Sequence, residues 1–125
     1  MKRDLDLIRE IMLVLEDKME YGKNFTSDRL FETMQNETLS IEKLLYHIGL
    51  LVEANFIGAR EEKYINNIRD FIITTITFEG QDFLDIIREQ NTWEFLKAKT
   101  VKIGGFSLSL LVEIGKDYLK KQFGL

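Results

Sequence analysis

The chain has 125 residues, with 17 basic and 21 acidic side chains, a formal net charge of −4, one His, and neither Cys nor Pro. That length suits one domain, and the absence of Cys excludes disulfides, thiolate metal sites, iron–sulfur clusters and cysteine nucleophiles. No apolar run approaches the ~18 residues of a spanning helix, and the charged start from Met1 to Glu10 is unlike a signal peptide, so a soluble cytoplasmic protein is expected.

The first helix is expected to start at Asp4, whose carboxylate can cap free amides. Leu5, Ile8, Met12, Leu15 and Met19 form one stripe, and Leu7, Ile11 and Val14 a second beside it. More than half the circumference is apolar, wider than a surface helix needs. Tyr21-Gly22-Lys23-Asn24 ends it. Ser27 or Thr26 caps a short second helix to about Gln35, burying Leu30, Phe31 and Met34. Ser40 caps a third helix to about Ala54, with Ile41, Leu44, Leu45, Ile48, Leu51 and Val52 inward. Asn55 is its left-handed stop.

From Phe56 to Ile76 the residues are β-branched and aromatic, as in strands. A tight turn at Asn66-Asn67 would pair Lys63 with Asp70, with Glu61-Glu62 as an alternative turn. Thr77 caps a fourth helix carrying Phe83, Leu84, Ile86 and Ile87. Gly80 lies inside it at a cost of about 1 kcal/mol against Ala, which calls for close packing against the hairpin. The capping-box spacing of Asn91 and Glu94 predicts a new, fifth helix with Trp93, Leu96 and Ile103. Gly104-Gly105 breaks that helix, and Ser107 caps a sixth helix with Leu108, Leu111, Val112, Ile114, Tyr118 and Leu119.

Three helices, a two-stranded hairpin and a further helix is the order of a winged helix-turn-helix. The expected fold is therefore mostly α (α+β), a single domain over 1–125. A winged-helix core spans 1–92, and a pair of additional helices spans 93–125. In such a fold the third helix is the usual DNA-recognition helix and the hairpin is the wing. Winged helices also serve as protein-binding modules, so the fold alone does not give the function.

The opening Met1-Lys2-Arg3-Asp4, followed by Asp6-Leu7-Ile8-Arg9, resembles the start of an uncharacterised phage and prophage family known only as a domain of unknown function. The similarity continues through Tyr46-His47, Leu50-Leu51, Glu53-Ala54, Ile57, Ile76-Thr77, Glu79-Gly80, Phe83-Leu84-Asp85, Thr92-Trp93, Gly104-Gly105, Ser107 and Phe123-Gly124-Leu125. The resemblance implies a winged-helix-like fold and a phage or prophage origin in a bacterial host, and no assigned activity. Two departures fall on the expected DNA-reading surface. Gly49 stands where members tend to have a basic residue, and the charged run Glu61-Glu62-Lys63 with Asn66-Asn67 stands where they tend to have a glycine-rich wing tip.

DNA affinity is largely phosphate neutralisation by Lys and Arg. Residues 1–92 hold 11 basic and 18 acidic side chains, net −7, and residues 93–125 hold 6 and 3, net +3. The outward sweep of the third helix reads Glu42, Lys43, Tyr46, His47, Gly49, Leu50 and Glu53, with no Arg for guanine and no Asn or Gln for adenine. On the DNA reading, Lys43, Tyr46 and His47 meet the groove, and Arg60, Lys63 and Arg69 the flanking phosphates. The lysines of the last two helices (Lys97, Lys99, Lys102, Lys116, Lys120, Lys121) form either a patch for nucleic acid or a second subunit, or a solvated face.

The other candidates have plainer readings. His47 is better explained as a hydrogen-bonded structural or surface His than as a base without a partner. Asp82, Asp85 and Glu89 read as a solvated acidic stripe rather than a metal site. Gly104-Gly105 lacks the features of a phosphate loop. Trp93, Phe95, Tyr118 and Phe123 read as core rather than as a stacking platform, with Trp93 buried between the last two helices and the winged core. The sequence thus predicts a non-enzymatic protein without cofactor, metal site or membrane partner. Double-stranded DNA is the first candidate partner. The alternative is a protein-interaction module in phage assembly or host takeover. The broad apolar surface of the first helix also predicts a homodimer.

Overall fold

The computed structural model describes residues 1–63, 69–102 and 108–124, and for Lys63, Arg69, Val101, Lys102 and Ser109 the backbone alone. Among the described residues the protein is mostly helical, with six helices and one small three-stranded antiparallel sheet. The elements run α1 (Leu5–Lys18), β1 (Phe25–Thr26), α2 (Ser27–Met34), α3 (Ile41–Glu53), β2 (Ile57–Lys63), β3 (Arg69–Ile76), α4 (Phe78–Ile87), α5 (Gln90–Lys102) and α6 (Leu108–Gln122). They fall into two compact units, Met1–Gly80 and Gln81–Leu125.

In the first unit, local chemistry sets the helix ends. The side chains of Asp4, Thr26 and Ser40 accept the N–H groups of Leu7, Arg29 and Lys43, each satisfying an amide that the first helical turn leaves free. Gln35 and Asn55 take the left-handed conformation after α2 and α3. Helix α1 ends earlier than expected, at Lys18, with Gly22 (φ +78°) in the loop beyond it.

The inner face of α1 is Leu7, Ile8, Ile11, Met12 and Leu15, all buried. Leu30 of α2 and Leu44, Ile48 and Leu51 of α3 join them, together with Phe25, Ile57, Phe71 and Ile73 from the sheet. Full burial of each such side chain stabilises by about 1.5–3 kcal/mol. Most of the broad apolar surface of α1 is therefore used within the chain. Of the α1 residues predicted inward, Leu5 and Val14 are only half-buried, as are Phe31, Met34, Ile41, Leu45 and Val52 on α2 and α3.

The sheet differs from the expected hairpin in two ways. A third strand, β1, pairs with the other edge of β3, Phe25 opposite Ile73 and Thr26 opposite Ile72, giving the order β1-β3-β2. The predicted Lys63–Asp70 pair also does not form. Ile57 lies opposite Ile76 and Gly58 opposite Thr75, the register that the predicted turn requires. An irregularity then places Ala59 opposite Ile73, so Glu62 meets Asp70 and Lys63 meets Arg69. Thr74 is the extra residue of this bulge, and one extra residue shifts every later rung. The Thr74 hydroxyl donates to the Gly58 carbonyl at 3.1 Å. Glu61-Glu62 belongs to β2 and is not a turn.

Asp70 instead turns inward. Its carboxylate accepts from the Ser27 hydroxyl, at the first residue of α2, and from the Phe71 N–H at 2.9 Å. Both residues are buried, and the pair fastens the start of α2 to the central strand.

Thr77 caps α4 as predicted, its hydroxyl oxygen accepting from the Gly80 N–H at 3.0 Å. In the second unit, Phe83, Leu84, Ile86, Ile87, Trp93, Leu96, Leu108 and Leu111 are buried. A new helix does follow α4, but Glu89 caps it rather than Asn91. The Glu89 carboxylate accepts from the N–H groups of Asn91 and Thr92 and from the Thr92 hydroxyl, at 3.0, 2.8 and 2.8 Å. These bonds hold its carboxyl below the usual range. The rings of Phe95 and Tyr118 stack at 4.4 Å between α5 and α6. The predicted Asn66-Asn67 turn, Gly104-Gly105 break, Ser107 cap and Ile103 burial lie outside the described residues.

Candidate functional site

Of the six residues predicted to touch DNA, Lys43, Tyr46 and His47 lie on α3, Arg60 and Lys63 on β2, and Arg69 on β3. Tyr46 is 38% exposed, with its ring edge-on to His47 at 5.3 Å. Glu42 and Glu53 are exposed, and Leu50 is half-buried. Gly49 faces the sheet, where an added Cβ would stand 3.8 Å from the Phe71 ring. Arg60 is exposed on β2, beside exposed Glu61 and Glu62. The ladder sets the backbones of Lys63 and Arg69 opposite one another at its last described rung.

His47 does not belong to the outward sweep. It is fully buried. Its Nε2 accepts from the Asp4 N–H at 2.8 Å, and its Nδ1 lies 2.7 Å from the Lys43 carbonyl. The amide can only donate and the carbonyl can only accept, so the ring is neutral with its proton on Nδ1. Burial pushes the His47 imidazole below its ordinary value. The Lys43 carbonyl bond and the Asp4 charge resist that shift, and the Lys43 charge adds to it.

Lys43 is also engaged. Its ammonium donates to the Asp4 carboxylate at 3.0 Å, with both side chains partly exposed. Burial raises the Asp4 carboxyl, but the Lys43 and Leu7 hydrogen bonds and the Lys43 and His47 charges outweigh it, leaving the group below the usual carboxylate range. Asp4 thus has three tasks: it caps α1, pairs with Lys43 and offers its own N–H to His47. Only the first was legible, because the residues it meets on α3 are 39 and 43 positions away.

A shallow polar cleft of about 220 Å³ adjoins this cluster, lined by Asp4, Asp6, Glu10, Asn36, Thr38 and Lys43 among others. Burial, then the Asp4 charge, raises the Glu10 carboxyl. A second groove of about 380 Å³ runs along the outside of α1, past Arg9, Leu13, Val14 and Asp17. The predicted acidic stripe on α4 is engaged locally: Asp82 pairs with Lys116 at 3.8 Å, Asp85 with Arg88 at 3.0 Å, and Glu89 caps α5. Among the described residues no group of acidic or imidazole side chains is arranged to hold a metal ion, and no helix is long and apolar enough to cross a membrane.

The architecture is thus a mostly helical protein with a small antiparallel sheet. The chain belongs to the family described as "Hypothetical protein (DUF2513)", which matches residues 2–107. It is similar to an uncharacterized protein of Haemophilus influenzae, 36% identical over 110 residues that cover 88% of this chain and 86% of the relative. No solved structure matches the chain.

Proposed function

We propose that the chain is a non-enzymatic winged-helix protein of phage or prophage that works by protein contact through the outer face of α3. The element order α1-β1-α2-α3-β2-β3 and the sheet order β1-β3-β2 support the winged-helix reading. One observation carries the choice of partner: the two α3 side chains suited to phosphate, Lys43 and His47, are both bound to Asp4. What the face offers outward is Tyr46, half-covered Leu50, and the acids Glu42 and Glu53. Carboxylates repel a phosphate backbone, whereas a Tyr one turn from a Leu suits the centre of a protein interface.

Affinity capture from a lysate of the source bacterium tests this reading. Tyr46→Ala is expected to weaken retention of the captured partner by roughly tenfold, the loss typical of an interfacial aromatic. Unchanged retention would remove α3 from the interface. Light scattering at micromolar concentration tests whether the partner is a second copy; a mass of 14.7 kDa would exclude the homodimer.

DNA binding is the second reading, favoured by exposed Arg60 and by the register that places Lys63 beside Arg69. Mixed duplex fragments at about 50 mM salt discriminate, because even non-specific affinity is detectable there. Protein contact predicts no retention. Salt-sensitive binding that is lost on replacing Lys63 and Arg69 by alanine would establish the DNA reading instead.

A further inference from the structure

We infer that Asp4 and His47 form a proton-operated latch, in which protonation of the ring releases the start of the chain from α3. The inference is independent of the partner that α3 meets.

The geometry carries it. In the neutral ring, the lone pair on Nε2 receives the Asp4 N–H at 2.8 Å while Nδ1–H is held by the Lys43 carbonyl at 2.7 Å. Nδ1 is already protonated, so an added proton can go only to Nε2. There it faces the Asp4 N–H, and two donors meet where a donor and an acceptor stood. The bond is lost, and the part-buried Asp4 amide is left opposite a cation inside the buried ring. The ring has no solvent to turn into without local opening.

The charges around the ring set its sense. The Asp4 carboxylate at the start of α1 favours the imidazolium, and the Lys43 ammonium on α3 opposes it. Among the described residues, the charges that act on the ring are those of Asp4 and Lys43. The Asp4 charge also acts on Glu10 of α1, which is raised chiefly by burial. Burial outweighs the Asp4 attraction, so the folded protein binds this proton less readily than the unfolded chain does. Stability held by neutral His47 is therefore present above the ordinary value of about 6.5 and is lost as pH falls from there through the lower folded value. Asp4, also lowered, loses its contribution only in the more acidic carboxylate range, while Glu10, raised, acts in the opposite sense.

Amide hydrogen exchange, corrected for its intrinsic pH dependence and combined with the 15N shifts of the His47 ring, tests the latch in the full chain. Between pH 7.5 and 5, protection of the Asp4 amide is expected to fall roughly tenfold in step with the ring titration, about the effect of one lost hydrogen bond. The Leu44 and Ile48 amides are expected to keep their protection. In His47→Gln an amide oxygen can replace Nε2 and does not titrate, so Asp4 is expected to stay protected throughout. An Asp4 amide indifferent to the ring titration would overturn the inference. So would a ring that stays neutral until global unfolding, or the same acid loss in the Gln variant. The wild-type titration decides alone if that variant does not fold.

Discussion

Gly80→Ala is expected to destabilise the protein by about 3 kcal/mol, read as a lower urea midpoint at unchanged slope. Propensity alone predicts the reverse, since Ala is better than Gly inside a helix by about 1 kcal/mol. Packing decides the sign. A Cβ at residue 80 would lie 2.0 Å from the Phe56 carbonyl oxygen and 2.9 Å from Ile76 Cγ2. That oxygen already accepts the Thr77 N–H at 3.1 Å, and the Thr77 hydroxyl donates to the Asn55 carbonyl. Helix α4 therefore begins directly on the backbone that leaves α3, and backbone atoms cannot rotate away as a side chain can. Gly115→Ala is the comparison: its Cβ would stand 2.3 Å from Ile86 Cγ2, a methyl on the stiff β-branch of a buried side chain. A loss of about 2 kcal/mol is expected there, smaller than at Gly80 because the atom met is side chain rather than backbone. A Gly80→Ala variant as stable as the wild type would mean that α4 can start elsewhere.

Trp93→Ala is expected to cost about 3–5 kcal/mol, the usual consequence of removing a large buried aromatic. Trp93 is 1% exposed and is the largest fully buried side chain among the described residues. Being the only Trp, it is also the natural fluorescence probe, so the variant should be followed by far-UV circular dichroism. Phe123, 77% exposed near the end of α6, is the control, with a change within about 0.5 kcal/mol on substitution by Ala. Similar losses at the two positions would refute the assignment of Trp93 to the core.

The helices were legible because their signals are local. Asp4, Thr26, Ser40 and Thr77 each cap within three residues of their own position, and Asn55 stops α3 with its own backbone. Even Gly80 announced a close approach, because a glycine at a helical position needs a reason. The candidate surface was less legible. Lys43 and His47 sit on α3 as their spacing predicts, but the partner that occupies both is 39 and 43 residues earlier in the chain, at the start of α1. The Glu89 cap was missed because Asn91 and Glu94 form the more familiar pattern.

By itself, then, the sequence determined the order of the described helices, the caps that start the first four, the place of the paired strands β2 and β3, and a helical core of Leu, Ile and Phe. It did so because capping, turn chemistry and apolar periodicity act over a few residues. Only the tertiary structure decided the rest: that Phe25 and Thr26 become a strand, that Thr74 shifts the register, that Asp70 joins Ser27, and that His47 turns inward to Asp4. Each of these depends on a hydrogen bond between residues far apart in the chain. No local pattern records which donor will meet which acceptor once the helices and strands have packed.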